Sequence, residues 1–319
     1  MASKQKYVYG LIIIILLAAL AAYLGFSTTT YRHHIALPYS MIKTGEQLNN
    51  TENIVKWYLP FAGNDSLSQS VRNSNNRISS NNYSIQVADR SSVNVVLEAG
   101  YKEKYRRFVF EAVSDSGDMD VCSVYLTYKS TLLEHWLDKG SLEKKAVQSL
   151  ESLKTYMEDT RRFYGFEIEY TTVVDTSFIF LSTTVPSTEK RAVTKKIFDQ
   201  LIAYAEQKNA GYNGTRIFYS VPFGTDQIML FASIGVTNRI ITNPGEGFSY
   251  KRMPFGKNLL MASYQGPYKD VVKAYTALEN FKADHHLSSM AIPYQKFISE
   301  GYDFADEQVV QMKVYYPIF

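Results

Sequence analysis

The sequence predicts an α+β protein with an apolar N-terminal helix, an antiparallel sheet closed by a long helix, and a duplicated second half. Three observations support this prediction. Residues 8–26 form an uncharged apolar run, alternating strand-like segments follow one another between residues 83 and 128, and a strand, helix, strand, strand pattern occurs twice after Phe166. The chain has 319 residues, of which 45% are hydrophobic, so it can bury two sizeable cores.

The apolar run has the length that an α-helix needs to cross a hydrocarbon core of about 30 Å. We therefore predict a single-pass transmembrane anchor within residues 1–30. Lys4 and Lys6 precede the run and only Arg32 follows closely, so the positive-inside rule places the N-terminus in the cytoplasm and the soluble domains outside it. A cleaved signal peptide is the alternative, because small residues at 18–22 resemble a cleavage site.

Residues 31–165 are predicted to form the first sheet. A strand at 31–38 precedes Trp57, Pro60 and Phe61, and the polar stretch 64–82 is interpreted as an exposed loop. Four alternating segments at 83–88, 92–99, 104–113 and 121–128 predict an antiparallel meander. Residues 141–162 predict an amphipathic helix across the sheet, whose apolar stripe is Leu142, Ala146, Leu150, Leu153 and Met157.

This order of elements, with its W-x-x-P-F stretch, resembles the START-like or polyketide-cyclase-like (SRPBCC) helix-grip fold. The resemblance implies an apolar cavity between the sheet and the long helix, suited to a lipid-like ligand. A filled cavity that serves only as scaffold is the interpretation we favour.

The second half reads as two copies of one unit, at 166–236 and 248–319. In the first copy a strand at 166–181 leads to a helix at 188–209 and to strands at 215–221 and 227–236. In the second, a helix at 267–285 is followed by strands at 292–298 and 308–316, and Pro267 is assigned to the first helical turn, where a missing N–H is tolerated. Residues 243–247 are interpreted as a linker between the copies.

Three motifs of the second copy occur together. They are the string MPFGKNLLMASYQGPYKDVVKAYTALENF at 253–281, the strand AIPYQKF at 291–297, and the ending VYYPI at 314–318. In this order and spacing they resemble the second repeat of GyrI-like domains, also called AraC-type effector-binding domains. The resemblance covers about residues 164–319, and we predict the GyrI-like effector-binding domain at 166–319. The resemblance implies a pseudo-symmetric sheet with an aromatic groove that binds flat, often cationic compounds.

One departure from that family concerns its P-x-E-x-Y motif, whose glutamate serves as a counter-charge or as an acid/base in members that hydrolyse small molecules. Here Gln295 stands at that position. An amide forms hydrogen bonds but carries no charge and moves no proton at neutral pH. A neutral or amphipathic ligand is therefore favoured, unless a carboxylate such as Asp226 or Glu300 reaches the groove.

From the resemblance and from strand alternation we predict that the ligand-binding groove wall is formed by Phe180, Tyr219, Phe231, Tyr268, Gln295, Phe297 and Tyr315. Aromatic residues at a spacing of two are equally typical of an ordinary core. The predicted function is a membrane-anchored protein that captures a hydrophobic or amphipathic small molecule. A small-molecule hydrolase using the same groove or the helix-grip cavity is the alternative, and a role in protein interaction is a third hypothesis.

Other classes of function have little support in the sequence. The net charge of +3 is spread along the chain without a block of like charges, so we expect no nucleic-acid partner. Cys122 is the single cysteine and is predicted to be a buried, inert thiol. The pairs His33-His34 and His285-His286 lack a matching acidic cluster, so no metal site is expected. No catalytic residue and no cofactor are assigned, because neither a G-x-S-x-G nor a P-loop pattern occurs.

Overall fold

The computed structural model describes residues 2–62, 77–80, 82–115, 117–137, 142–243, 245–289, 291–298, 301 and 304–318. The chain divides into two compact units, Met1–Glu158 and Asp159–Phe319. Each unit contains an antiparallel sheet and helices, which confirms the α+β class.

The apolar run forms helix α1 (Ala2–Phe26). From Tyr9 to Phe26 this helix is long and apolar enough to cross a membrane, and none of that stretch is buried. A signal sequence near the N-terminus can have the same length and apolar composition. A transmembrane span therefore stays a prediction.

The elements of the first unit follow in chain order: β1 (Thr28–Leu37), α2 (Met41–Asn49), α3 (Thr51–Trp57), β2 (Arg77–Ser80), β3 (Tyr83–Arg90), β4 (Asn94–Tyr101), β5 (Lys104–Asp115), β6 (Asp118–Thr131), α4 (Leu132–Leu137) and α5 (Leu142–Glu158). The strands form one antiparallel sheet in the order β1-β6-β5-β4-β3-β2. Helix α5 packs on this sheet, and the predicted stripe from Leu142 to Met157 is buried. Membership of the START-like family stays a prediction.

The structure of this unit bears on the predicted loop at residues 64–82 and on the predicted burial of Cys122. Residues 77–80, which we assigned to an exposed loop, form the edge strand β2, where Ile78 is buried opposite Ile85. A strand of four residues with one apolar side chain is too short for an alternation pattern to reveal. Most of the predicted loop, at residues 64–76, lies outside the described residues. Cys122 is buried, its Sγ lies 3.1 Å from Oγ1 of Thr44, and burial raises the pKa of its thiol.

The second unit begins with α6 (Thr160–Tyr164). Its further elements are β7 (Ile168–Thr172), β8 (Ser177–Pro186), α7 (Lys190–Gln207), β9 (Tyr212–Phe223), β10 (Gln227–Val236), β11 (Ser249–Arg252), β12 (Asn258–Pro267), α8 (Val272–Asp284), β13 (Tyr294–Phe297) and β14 (Val309–Pro317). Short 3₁₀ turns, Ser187–Glu189 and Tyr268–Val271, precede α7 and α8. The eight strands form one antiparallel sheet in the order β11-β8-β10-β9-β13-β14-β12-β7.

This strand order is symmetric about the β9–β13 pair, as the predicted duplication requires. The short first strand of each repeat is exchanged: β7 begins the first repeat but pairs with β12, and β11 begins the second but pairs with β8. The predicted single strand at 166–181 is therefore wrong, because residues 173–176 leave the sheet between β7 and β8. Pro267 is likewise the last residue of β12 and not part of a helical turn.

The connections before β8 and β12 are hydrogen-bonded to each other. The N–H of Val173 donates to the carbonyl of Lys257 at 2.9 Å, and the N–H of Met253 donates to the carbonyl of Thr176 at 2.9 Å. Between these contacts Gly256 has a φ of +73°, which a residue with a side chain rarely adopts. We call residues 173–176 and 253–257 the strap.

Strand register separates the two faces of the second sheet. The helix face, covered by α7 and α8, carries Ile179, Phe218, Leu230, Leu260, Gln295 and Val314. The open face carries Phe180, Tyr219, Phe231, Tyr294 and Tyr315. The residues that we predicted to line one groove are thus distributed over both faces.

Candidate functional site

A cleft of about 410 Å³ opens beside α8, where β9 and β13 separate. Among the described residues these strands pair at Phe218–Gln295 and Ile217–Lys296, so β9 continues past Tyr219 without β13 as a neighbour. Four tyrosines from different elements and one amide line this cleft. We call it the phenol cleft and define it by Tyr219, Tyr268, Tyr275, Gln295 and Tyr316.

The floor of the phenol cleft is formed by the side-chain amide of Gln295, which is polar but carries no charge. This residue is 3% exposed, and its Nε2 donates a hydrogen bond to the hydroxyl oxygen of Tyr268 at 3.0 Å. Burial raises the pKa of Tyr268 to about 12, although the hydrogen bond from Gln295 acts in the opposite direction. Tyr268 is therefore a neutral phenol at physiological pH, and because its oxygen accepts from Gln295, its proton is available to donate.

Tyr275, on α8, contributes a second phenol. Its ring centroid lies 5.8 Å from that of Tyr219, and its hydroxyl oxygen is buried without a hydrogen-bond partner among the described residues. Burial raises the pKa of Tyr275 well above its ordinary value. A buried polar group without a partner costs about 1–3 kcal/mol, so this hydroxyl is poised to bind a polar atom that enters the cleft.

The charged residues around the cleft balance one another. The lining contains Lys190 and Lys269 together with Glu279 and Asp306. Burial lowers the pKa of Lys190, while Asp306 nearby raises it. The sequence suggested Asp226 or Glu300 as a carboxylate that could reach the groove. Asp226 instead lies in the β9–β10 turn, Glu300 is outside the described residues, and the carboxylates that line the cleft are Glu279 and Asp306.

A second cavity, of about 380 Å³, adjoins the phenol cleft and lies beside α7. It shares Lys190, Tyr268 and Asp306 with the cleft. The Nζ of Lys190 lies 5.5 Å from the Tyr268 ring centroid, within the range of a cation–π contact. Tyr268 thus stands between two hollows that together run along the helix face.

The open face carries a separate cavity of about 330 Å³, which we call the open-face cavity. Phe180, Tyr219 and Phe231 line it. The ring centroids of Phe180 and Phe231 are 6.2 Å apart, as are those of Tyr219 and Phe231. Met253, Pro254 and Lys257 of the strap complete the wall, and Tyr219 borders both this cavity and the phenol cleft.

The remaining two predicted wall residues lie elsewhere. Phe297 is 5% exposed and packs in the core, where its ring centroid lies 5.7 Å from that of Phe198 and 5.5 Å from that of Phe304. Tyr315 stacks on Tyr294 with ring centroids 5.1 Å apart and lines a hollow of about 110 Å³ beside the strap. The structure thus places Tyr268 and Gln295 together in the phenol cleft and Phe180 and Phe231 together in the open-face cavity, whereas Phe297 lines neither.

Sequence reasoning missed several of the residues that line these sites. Tyr275 lies in the helix predicted at 267–285, and helical spacing does not distinguish a core ring from one that borders a cleft. Lys190 and Asp306 come from segments far apart in the chain, so only the fold brings them together. Phe178, which lines the open-face cavity, lies two residues before Phe180, and strand alternation was a signal for it.

Residues 166–318 match the family model described as the GyrI-like small molecule binding domain. Among solved structures, the C-terminal domain of EcmrR is 14% identical, with a TM-score of 0.35 and coverage of 48% of this chain and 98% of that chain. An uncharacterized conserved protein from Listeria innocua is 14% identical, with a TM-score of 0.34 and coverage of 51% and 98%. SAV2435, in a structure bound to tetraphenylphosphonium, is 7% identical, with a TM-score of 0.32 and coverage of 48% and 94%. No curated protein matches the sequence significantly.

Proposed function

We propose that residues 166–318, a GyrI-like small-molecule-binding domain, bind a neutral or amphipathic ligand in the phenol cleft. The observation that carries this proposal is the buried hydroxyl of Tyr275, which has no hydrogen-bond partner among the described residues. In the same cleft the hydroxyl of Tyr268 accepts a hydrogen bond from Gln295 and has its proton to donate. A ligand with one or two hydrogen-bonding atoms would satisfy both phenols.

The charges of the cleft support a ligand without net charge. At the position where the family resemblance implies a glutamate, Gln295 supplies an amide. Two lysines and two carboxylates line the cleft, so their formal charges cancel. A cation would have no dedicated counter-charge at the floor, and an anion would meet Glu279 and Asp306.

The body of the ligand is proposed to be apolar and flat. Tyrosine rings offer apolar faces with polar tips, which suits molecules that combine a ring system with a few polar atoms. A volume of about 410 Å³ lies within the ~300–1,000 Å³ typical of small-molecule sites. The ligand is therefore of ordinary metabolite or drug size.

We further propose that α1 anchors the protein in a membrane, with the N-terminus in the cytoplasm. The support is its uncharged apolar stretch, none of which is buried from Tyr9 to Phe26. Fractionation of cells expressing the full chain, with intact mass measurement of the purified protein, tests this. We expect the intact chain in the membrane fraction after carbonate extraction; a mass lacking the apolar helix would show a cleaved signal peptide instead.

Native mass spectrometry of the full chain, purified from its own host, tests the binding proposal. We expect a small molecule that copurifies with the wild type and is lost from Tyr268→Ala and reduced in Tyr275→Phe. Tyr170→Phe is the matched control, because Tyr170 belongs to the same domain and is 61% exposed away from the cleft. A ligand that both cleft variants retain at wild-type occupancy would place the site elsewhere.

A further inference from the structure

The open-face cavity has a composition unlike that of the phenol cleft. Phe178, Phe180 and Phe231 supply apolar walls, and the polar side chains at its edge include Lys251, Arg252 and Lys257. None of the described residues that line it is Asp or Glu. We propose that this cavity is a second ligand site, which takes a compact apolar molecule bearing a single anionic group such as a carboxylate or sulfonate.

The three cations at this cavity are not neutralised within the described part of the chain. Lys251, Arg252 and Lys257 are exposed and form no ion pair with described residues. The Nζ of Lys251 lies 3.5 Å from the centroid of the Phe180 ring, so one ammonium group already lies against the aromatic wall. An anion bound beside that ring would contact the ammonium directly.

The other half of the open face provides a comparison within the same sheet. There, Lys296 lies 2.7 Å from Asp175, so its charge is paired, and the hollow beside it measures about 110 Å³. The open-face cavity is about three times as large as that hollow. Among the described residues, one half of the open face therefore carries a paired lysine beside a small hollow, and the other half carries a larger cavity whose cations form no ion pair.

The geometry of the cavity suits a ligand with a flat apolar body. Diagonal and direct cross-strand neighbours place Phe180, Phe231 and Tyr219 in a row on the sheet, and Met253, Pro254 and Lys257 of the strap line the same cavity. The aromatic row would contact the body of the ligand, while the cations of β11 and the strap would hold its charged group. Hydrogen bonds between charged partners are stronger than neutral ones. We therefore expect the charge of the ligand's polar group to determine which ligands the cavity prefers.

Isothermal titration calorimetry on the full chain in lipid nanodiscs, with empty nanodiscs as the blank, tests this proposal. The probes are 2-naphthoate, 2-naphthamide and 2-naphthylmethylammonium, which share a body and differ in charge. We expect 2-naphthoate to bind about tenfold or more tightly than the amide, and the cation to bind most weakly. The double variant Lys251→Gln/Arg252→Gln removes two of the three cations, so it should lower 2-naphthoate affinity toward that of the amide and leave amide affinity unchanged.

Two controls separate this site from alternatives. The variant Lys144→Gln/Lys196→Gln removes two positive charges from exposed positions elsewhere and should not alter 2-naphthoate affinity. If this variant lost as much 2-naphthoate affinity as Lys251→Gln/Arg252→Gln, the attraction would be unspecific and the proposal would be overturned. Tyr275→Phe alters the phenol cleft and should also have no effect; weaker 2-naphthoate binding in that variant would place the anion in the cleft. Equal affinity for acid and amide in the wild type would likewise overturn it.

Discussion

The side-chain amide of Gln295 and the hydroxyl of Tyr268 are hydrogen-bonded at 3.0 Å across the floor of the phenol cleft. The amide donates, so the phenol keeps its own proton for another acceptor. A carboxylate at position 295 would reverse this arrangement, because it would accept from Tyr268 and add a negative charge. This pair of residues therefore sets both the charge and the hydrogen-bonding direction of the cleft.

Replacing Gln295 with glutamate should create affinity for flat cations. The introduced carboxylate would be buried, which raises its pKa above the ordinary value of about 4.3, so it gains its charge as the pH rises. We expect the flat cation 2-naphthylmethylammonium to bind at least about tenfold more tightly to Gln295→Glu than to the wild type, with the difference growing between about pH 5 and pH 8. Equilibrium dialysis at several pH values measures this, and Gln295→Met is the uncharged control. Equal cation affinity of the glutamate and methionine variants would contradict the placement of Gln295 at the cleft floor.

Removing the hydroxyl of Tyr275 should stabilise the ligand-free protein. The oxygen is buried without a partner among the described residues, so Tyr275→Phe removes an uncompensated desolvation cost and keeps the ring contact with Tyr219. We expect the free energy of unfolding to rise by about 1 kcal/mol. Chemical denaturation monitored by circular dichroism tests this. Tyr204→Phe is the matched comparison and should destabilise the protein, since the hydroxyl of Tyr204 donates to Glu246.

Two phenylalanines from the predicted groove wall should respond very differently to truncation. Phe297 is packed between Phe198, Phe218 and Phe304, so Phe297→Ala should cost about 3–5 kcal/mol of stability. Phe231 is only partly buried at the edge of the open-face cavity, so Phe231→Ala should cost less than half as much. Thermal unfolding of the two variants compares them directly. Similar losses in both would show that Phe231 is a core residue.

Glu246, in the loop between the repeats, should contribute stability that depends on pH. Hydrogen bonds from Tyr204, Asn243 and Lys208 lower the pKa of its carboxyl to about 2. A lowered pKa means that the contribution is complete above the unfolded-state value near 4.3 and is lost as the pH falls toward 2. The melting temperature of the wild type should therefore exceed that of Glu246→Gln by a constant amount above about pH 5, and the gap should narrow below pH 4. A gap that does not change with pH would rule out this linkage.

The sequence was sufficient for the elements that have a regular pattern. The apolar stripe of α5 and the four meander strands follow from periodicity alone, and the resemblance at residues 253–281 indicated the GyrI-like domain. The distribution of the predicted groove residues over both faces of the sheet was not predictable. Alternation shows which residues of one strand share a face, as Phe180 and Phe231 each do with every second residue of their own strand. It does not show which face of the sheet is covered by the helices. That depends on register between strands that are distant in the chain, such as Phe218 opposite Gln295.

The division of the predicted strand at 166–181 into β7 and β8 could also not be predicted from the sequence. Residues 166–181 are continuously strand-like, and nothing local indicates that β7 joins the far edge of the sheet. The partner of β7 is β12, which follows it by more than eighty residues, so the break is a consequence of tertiary pairing.

The exchanged strands β7 and β11 make the two repeats interdependent. If the chain were cut between Val236 and Phe248, each fragment would keep a strand that belongs to the other fragment's sheet, and each would expose an unpaired edge. Neither half is therefore a self-sufficient module, and restoring the domain would require complementation of one fragment by the other. Such mutual reliance also discourages the independent loss of either repeat during evolution.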